Sequence, residues 1–517
     1  MQAQYRAPTS KSRVPTRLGA GEGNTAQRVM RVLIRPAGVI DLVHACPRKK
    51  PMAELVERRT SAKRNPDVVP VAGTQRPAES ESGLDRIRAA ARKDKALRFN
   101  NLFHHMTLEL LAQAYHALKR NAAPGVDGID WYDYGKALPE RLKRLHERLQ
   151  QGSYRPQPVK RQWIDKAAGG KRPLGVTSTE DKIVQQALVF VLEPIYETEF
   201  LGFSYGSRPG RSQHNALDAL YMAITTRKVS FVLDMDIKGF FDAIDQTWLF
   251  RFLEHRIADR RILHLIEHTL QAGVMDGAQW TRSGTGVPQG AVISPLLANL
   301  YLHDTLYLWT HRWRRRCARG EVYIVRYVDD AVLCFQYRDD AARFHRELAQ
   351  RLERFGLRFH PDKTRLLEFG RFAYSNRKAR GAGKPKSFTF LGFTHLCSRR
   401  LSDGKFTVKR VTIAKRQRAK LKELRKWLYD NRAIPVADQG RYLNAVLRGV
   451  INYFGVPGNW QAVDAFRREL CRSWLRALRR RSQKARKLTW ETFKKVVRRW
   501  IPSVKVVHPY PNQRLCV

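Results

Sequence analysis

Cysteine is scarce in this chain, and acidic residues are outnumbered. Six cysteines, at positions 46, 317, 334, 397, 471 and 516 of 517 residues, show no Cys-x-x-Cys spacing and no adjoining ligand cluster. That pattern argues against both a zinc site and a disulfide framework, and points to a reducing compartment. No run of about 18 apolar residues occurs, so no transmembrane helix is expected, and the opening residues lack the apolar stretch of a signal peptide. Internal repeats are also missing. Against 47 Asp+Glu stand 96 Lys+Arg, a formal charge of +49 with a pI near 10.7. Solubility does not require so much charge, and a polyanion is the expected ligand. The excess is also localised: Val411 to Val517 carries 26 Lys/Arg against 6 Asp/Glu.

A length of 517 residues suits about three domains, and 43% hydrophobic content fits a globular protein. Residues 1–84, rich in Arg, Pro, Ser and Gly apart from an apolar run at Val32 to Val43, are expected to be a mostly disordered basic extension. Thr107 reads as a helix N-cap, with Leu108, Leu111, Tyr115 and Leu118 at helical spacing up to Pro124-Gly125. From 150 to 400 strand and helix signals alternate. Beyond Thr412 the pattern becomes helical and basic. Ile413, Leu421, Leu424 and Leu428 mark one amphipathic helix, and Phe466, Leu470, Trp474 and Leu478 mark another, whose remaining faces carry Arg472, Arg476, Arg479 and Arg480.

Two acidic motifs carry the chemistry. Tyr327-Val328-Asp329-Asp330 lies between the β-prone runs Val322 to Arg326 and Ala331 to Phe335, which places two adjacent carboxylates where a hairpin turns. Acids held on such a turn suit Mg²⁺, a cation that takes oxygen ligands and acts on phosphates. Phe231 to Asp236 reads as a buried strand ending in acid. Set beside the hairpin it would bring Asp236 to the pair, and three carboxylates can hold two Mg²⁺ ions roughly 3.5–4 Å apart. Ile237 is counted with these metal-holding positions. Between the motifs, Gly286 to Asn299 is a glycine-rich loop running into an apolar helix. Its backbone is expected to approach a nucleotide, with Gln289 offering an amide to base or sugar.

With these segments in order, the chain resembles a reverse transcriptase, and more narrowly the reverse transcriptase/maturase proteins encoded within group II introns. Further motifs extend the likeness over about residues 85 to 517. Asn121 to Gly128 resembles the family's N-terminal motif, and Lys171 to Gly175, Leu192-Glu193-Pro194 and Ser207 to Gly210 resemble its fingers. Phe355-Gly356-Leu357 with Asp362-Lys363-Thr364 is similar to the late palm, Phe390 to Phe393 to the primer-gripping hairpin, and Leu447 to Gly455, which includes Arg448, to the maturase segment.

The resemblance implies an α/β right-hand polymerase, with fingers and palm over 85–405 and a helical, basic thumb/maturase domain over 406–517. It implies catalysis by Asp236, Asp329 and Asp330 with two Mg²⁺ ions. Phe241 would stand against the sugar and reject a 2′-hydroxyl, although Phe240 is an alternative. Lys171 and Arg172 suit a triphosphate, and Lys363 matches a position proposed to protonate pyrophosphate. Implied partners are intron RNA held by the basic helices, an RNA template, a DNA primer and dNTPs, with no membrane; oligomeric state is left open. A bacterial cytoplasmic, nucleoid-associated location is expected, with an organellar leader as the minor alternative because Arg6, Lys11, Arg13 and Arg17 precede the first acid, Glu22. No His-Asn-His endonuclease pattern and no RNase H domain are expected.

Other readings share parts of this pattern. An RNA-copying polymerase would usually carry Gly-Asp-Asp and an acid at the sugar-contacting position, where this chain has Val328 and Phe241. A retron or diversity-generating enzyme would lack the basic tail. A splicing-only RNA-binding protein with a dead palm would not need all three acids.

Overall fold

A computed structural model describes residues 83–165, 170–281, 284–400 and 402–514. Most of the expected N-terminal extension, including the run at 32–43, lies outside these residues. The architecture is mixed α/β followed by a helical region. No described helix is long and apolar enough to cross a membrane.

Helix α1 (Leu108–Ala117) begins as its sequence indicates, the Thr107 hydroxyl accepting from the Leu110 amide at 3.2 Å. It ends at Ala117 rather than reaching Pro124, because Leu118 already adopts extended backbone with ψ 152°. Strands β1 (Val159–Asp165) and β2 (Lys171–Val176) form an antiparallel pair. They share a four-stranded sheet with β4 (Val274–Asp276) and β5 (Gln279–Thr281). Helices α2 (Thr179–Tyr196) and α3 (Gln213–Thr226) follow β2 and precede β3 (Phe231–Met235).

The acidic motifs meet in a second sheet, ordered β6-β7-β3-β8, with β6 Val322–Tyr327, β7 Asp330–Phe335 and β8 Arg365–Glu368. Its strands are antiparallel and rich in Val, Ile, Leu and Phe, so its interior buries almost every side chain. The helices α4 (Ser294–Leu302) and α5 (Arg338–Glu353) complete this part. A third sheet is formed by β9 (Phe388–Phe390), β10 (Phe393–Arg399) and β11 (Phe406–Thr412). Leu391 and Gly392, both with positive φ, make the tight β9–β10 turn anticipated from Phe390 to Phe393.

One core joins the second and third sheets through Val232, Val325, Val332, Phe369, Phe388, Phe393 and Val408, with Leu217 and Leu220 of α3 against it. The boundary expected after residue 405 therefore falls inside the third sheet, between β10 and β11. A separate core begins with α6 (Ala414–Asp430) and unites it with α7 (Val436–Phe454), α8 (Trp460–Arg479) and α9 (Trp490–Trp500). Leu421, Leu424 and Leu428 face Leu443, Leu447, Phe466, Leu470, Trp474 and Leu478, as the helical periodicity indicates.

Candidate active site

The hairpin β6–β7 closes with Tyr327 opposite Asp330, leaving Val328 and Asp329 as the two turn residues. Val328 has φ 58°, a conformation that a β-branched side chain adopts only when its surroundings enforce it. Three contacts do so. The Arg326 guanidinium donates through Nε to the Val328 carbonyl at 2.9 Å. Gly206 approaches so closely that a Cβ there would meet the Val328 amide nitrogen at 2.5 Å. Asn299 of α4 joins both sides: its Oδ1 accepts from Arg326 Nη1 and Nη2 at 2.8 and 2.5 Å, and its Nδ2 donates to the Gly206 and Ser207 carbonyls at 3.0 and 3.3 Å.

Pairing of β3 with β7 aligns Met235 with Ala331, so Asp236, just past the end of β3, lies beside Asp330 at the neighbouring strand's start. The segment just before β8 fixes it there. The His360 amide donates to the Asp236 carbonyl at 2.8 Å, and Lys363 Nζ meets Asp236 Oδ2 at 3.0 Å. Asp234, two residues before Asp236 on β3, is paired with Arg365 at 3.0 Å.

The electrostatics show that the carboxylates converge. The Asp330 pKa is pushed up to about 7 by desolvation first, then by Asp329, Asp236 and Asp234, while Lys363 opposes the rise. As a whole residue Asp330 is exposed, which argues for a modest desolvation contribution. The upward direction stands on the neighbouring like charges, which do not depend on it. Such mutual repulsion is what a bound divalent cation relieves, so the donor set fits Mg²⁺ in kind. Among the described residues, however, no group of three acidic, His or Cys side chains is drawn together tightly enough to form a ready coordination cage. Lys363 supplies the positive charge at Asp236 in this arrangement.

Around the acids stand the expected nucleotide contacts. Phe240 is buried and Phe241 half-buried, so of the two rings Phe241 is the more accessible. The glycine-rich loop docks beneath Phe241, the Val287 amide donating to the Phe241 carbonyl at 2.8 Å. Across the loop, Arg172 Nε donates to Gln289 Oε1 at 2.9 Å, while Lys171 is exposed beside it. The close approach expected of the loop glycines is taken up by protein rather than left for a nucleotide. A Cβ on Gly290 would meet the Gly175 carbonyl at 2.5 Å, and one on Gly286 would meet the Asp242 Cα and Phe241 carbonyl at 3.0 Å. A cavity of about 290 Å³, lined in part by Leu174, Gly175, Asp242, Gly286 and Gln289, lies between this loop and β2.

The RNA-contact candidates lie apart from this site. Arg448 on α7 and Arg472, Arg476, Arg479 and Arg480 at the end of α8 are all exposed. Of the C-terminal aromatics, Trp474 is buried and Trp427 and Trp500 pack against the helical core, while Tyr429, Trp460 and Trp490 are exposed.

Residues 164–395 match the family described as reverse transcriptase (RNA-dependent DNA polymerase). Residues 164–395 thus carry a reverse transcriptase domain, related to that of group II intron-encoded proteins. It is 35% identical over 226 residues to protein YkfC of Escherichia coli, covering 42% of this chain and 59% of that protein. Over 223 residues it is 34% identical to the group II intron-encoded protein LtrA of Lactococcus lactis, covering 43% and 37%. Similarity of 36% over 206 residues extends to an uncharacterized 91 kDa protein in the cob intron of Schizosaccharomyces pombe, covering 40% of this chain and 25% of that one. The matched region thus spans well under two thirds of each relative. It contains the acidic hairpin, Phe241 and the glycine-rich loop, and stops short of helices α6 to α9.

Two important residues escaped the sequence reading. Arg326 was taken as the end of an apolar run, and Asn299 as the last letter of a motif. A charged residue inside a buried strand was the available signal, since such a side chain must find partners.

Proposed function

We propose that this protein is an RNA-directed DNA polymerase that also serves as a maturase for a group II intron. Its fingers and palm would extend through Thr412, with the thumb/maturase part beginning at α6. In this reading Asp236, Asp329 and Asp330, with the Ile237 carbonyl, hold two Mg²⁺ ions, which supply activation of the primer 3′-hydroxyl and neutralise charge on pyrophosphate. Arg172 and Lys171 orient the triphosphate of a dNTP, Gln289 lies where base or sugar would rest, and the Phe241 ring excludes a 2′-hydroxyl. Lys363, freed from Asp236 when cations bind, would be able to give a proton to the leaving pyrophosphate. Intron RNA would be held by Arg448, Arg472, Arg476, Arg479 and Arg480, so that its own catalytic fold is stabilised by binding energy. A bacterial cytoplasmic location agrees with the bacterial origin of YkfC and LtrA.

The observation that supports the polymerase reading is the β3–β7 register, which brings Asp236 beside Asp330 on the hairpin that also holds Asp329. The three acids thus come from two segments far apart in sequence. Asp329→Ala should abolish Mg²⁺-dependent DNA synthesis on an RNA template while the protein stays folded by circular dichroism. Full-length extension by the folded variant would remove the assignment.

A further inference from the structure

Helices α6 and α8 border two adjoining cavities remote from the acidic hairpin. The first, about 470 Å³, is lined by Arg476, Arg479, Arg480, Ser482, Gln483 and Arg486, four guanidinium groups without a carboxylate. The second, about 240 Å³, shares Arg476 and Arg480 with it and adds Arg425, Tyr429 and Arg432. The local acid is already oversubscribed. Glu469 receives Arg425 at 2.7 Å and Arg472 at 3.5 Å, with Arg476 only at 4.0 Å. Among the described residues the Arg480 and Arg486 side chains have no hydrogen-bond or ion-pair partner. Arg479 uses its Nε on the Leu488 carbonyl at 2.8 Å, which leaves its terminal nitrogens available.

Beside this cationic pocket stands an aromatic ring. Tyr429 is 56% exposed, and the Arg432 guanidinium lies over its ring, 4.8 Å from the centroid. More than half of Tyr429 is thus open to a ligand, and the arginine contact adds a cation–π attraction on one side.

We infer that the two cavities form one subsite for an unpaired nucleotide of RNA. Its phosphate is taken by Arg479, Arg480 and Arg486, and its base stacks on Tyr429 in the adjoining cavity. A paired helix hides its base faces, so only a bulge, loop or end can use the second cavity, while any backbone can use the first. The inference rests on the proposed RNA binding of α8 and adds to it a preference for unpaired bases, carried by a residue outside the arginine set.

The test uses the full chain and two probes: an RNA stem with one bulged purine, and the same stem fully paired. Wild type should prefer the bulged stem. Tyr429→Ala should lose about tenfold in affinity for it, a typical cost of one lost base stack, with no loss on the paired stem. Tyr429→Phe, which keeps the ring, should bind as wild type. Arg480→Gln with Arg486→Gln should instead weaken both probes and flatten the salt dependence, by roughly 0.7 in log–log slope for each phosphate lost. A bulge preference that survives Tyr429→Ala overturns the subsite, as does equal wild-type affinity for both stems. In either case RNA binding itself stands. If neither stem binds, the RNA-binding reading falls with it, and an equal preference for a bulged DNA stem reassigns the cavities to a DNA strand.

Discussion

A carboxyl group whose pKa is pushed upward by burial and three neighbouring carboxylates is in competition between a proton and a cation. Asp330 has its pKa raised to about 7 in the folded chain, against about 4 when unfolded. Because the folded state binds this proton more tightly, the group's contribution to stability in metal-free protein is favourable at low pH and is lost as pH rises from about 4 through 7. Asp330→Asn should therefore raise the metal-free Tm at pH 8 and leave it nearly unchanged at pH 4.5, checked by thermal melts in EDTA. Mg²⁺ should shrink the wild-type deficit at pH 8, since it binds only the deprotonated acids.

At the same scale, Phe241→Ala should raise ribonucleotide incorporation relative to deoxynucleotide by at least about tenfold, measured by single-nucleotide extension with each. Unchanged discrimination would make Phe241 a packing residue. Sequence alone put Phe241 at the sugar and kept Phe240 as an alternative. Burial separates them, and burial depends on which side of a short helix (Phe240–Ala243) meets the protein.

Among elements, the β6–β7 hairpin was legible because its signals are local: two β-prone runs flanking Tyr327-Val328-Asp329-Asp330. What holds its turn was not legible, since Arg326, Asn299 and Gly206 are far apart in sequence and meet only on folding. Asn299→Ala should leave the Arg326 guanidinium, 1% exposed, without its side-chain acceptor. The expected cost is about 3 kcal/mol in urea unfolding, the upper range for a hydrogen bond to a charged group. Extension activity should fall further than stability explains, because the Val328-Asp329 turn would lose its restraint; parallel losses would make Asn299 purely structural. The amphipathic helices of the C-terminal region were equally readable from their period. Where α1 stops, and what the loop glycines approach, depended on neighbours that no window of sequence contains.

For the whole described molecule, one buried carboxylate spans the longest distances. Asp218 on α3 pairs with Arg410 of β11 at 3.0 Å, both nearly inaccessible, and with Arg514. His508, in the same C-terminal segment, stacks on His214 of α3 with ring centroids 3.7 Å apart and reaches the Asn452 carbonyl at 2.7 Å. Asp218→Ala would strand Arg410 in the core. A loss of about 3–5 kcal/mol in urea unfolding is expected, together with faster proteolysis in the segment around residues 503–514. Undiminished stability would show that Arg410 finds another acceptor. Net charge could suggest an abundance of cations, but not which two of so many would be buried with one acid.

Synthesis is vectorial, and this carboxylate is made long before its counter-ions. Arg410 follows Asp218 by 192 positions and Arg514 by 296. While α3 is already outside the ribosome, Asp218 must stay hydrated, and α3 cannot seat against the third sheet in its final form until β11 has emerged. Because β11 shares its core with the strands beside Asp236, Asp329 and Asp330, a chain that has emerged only as far as β7 holds these acids on an unfinished support. The nascent protein thus cannot complete the core beneath its acidic hairpin until β11 has emerged.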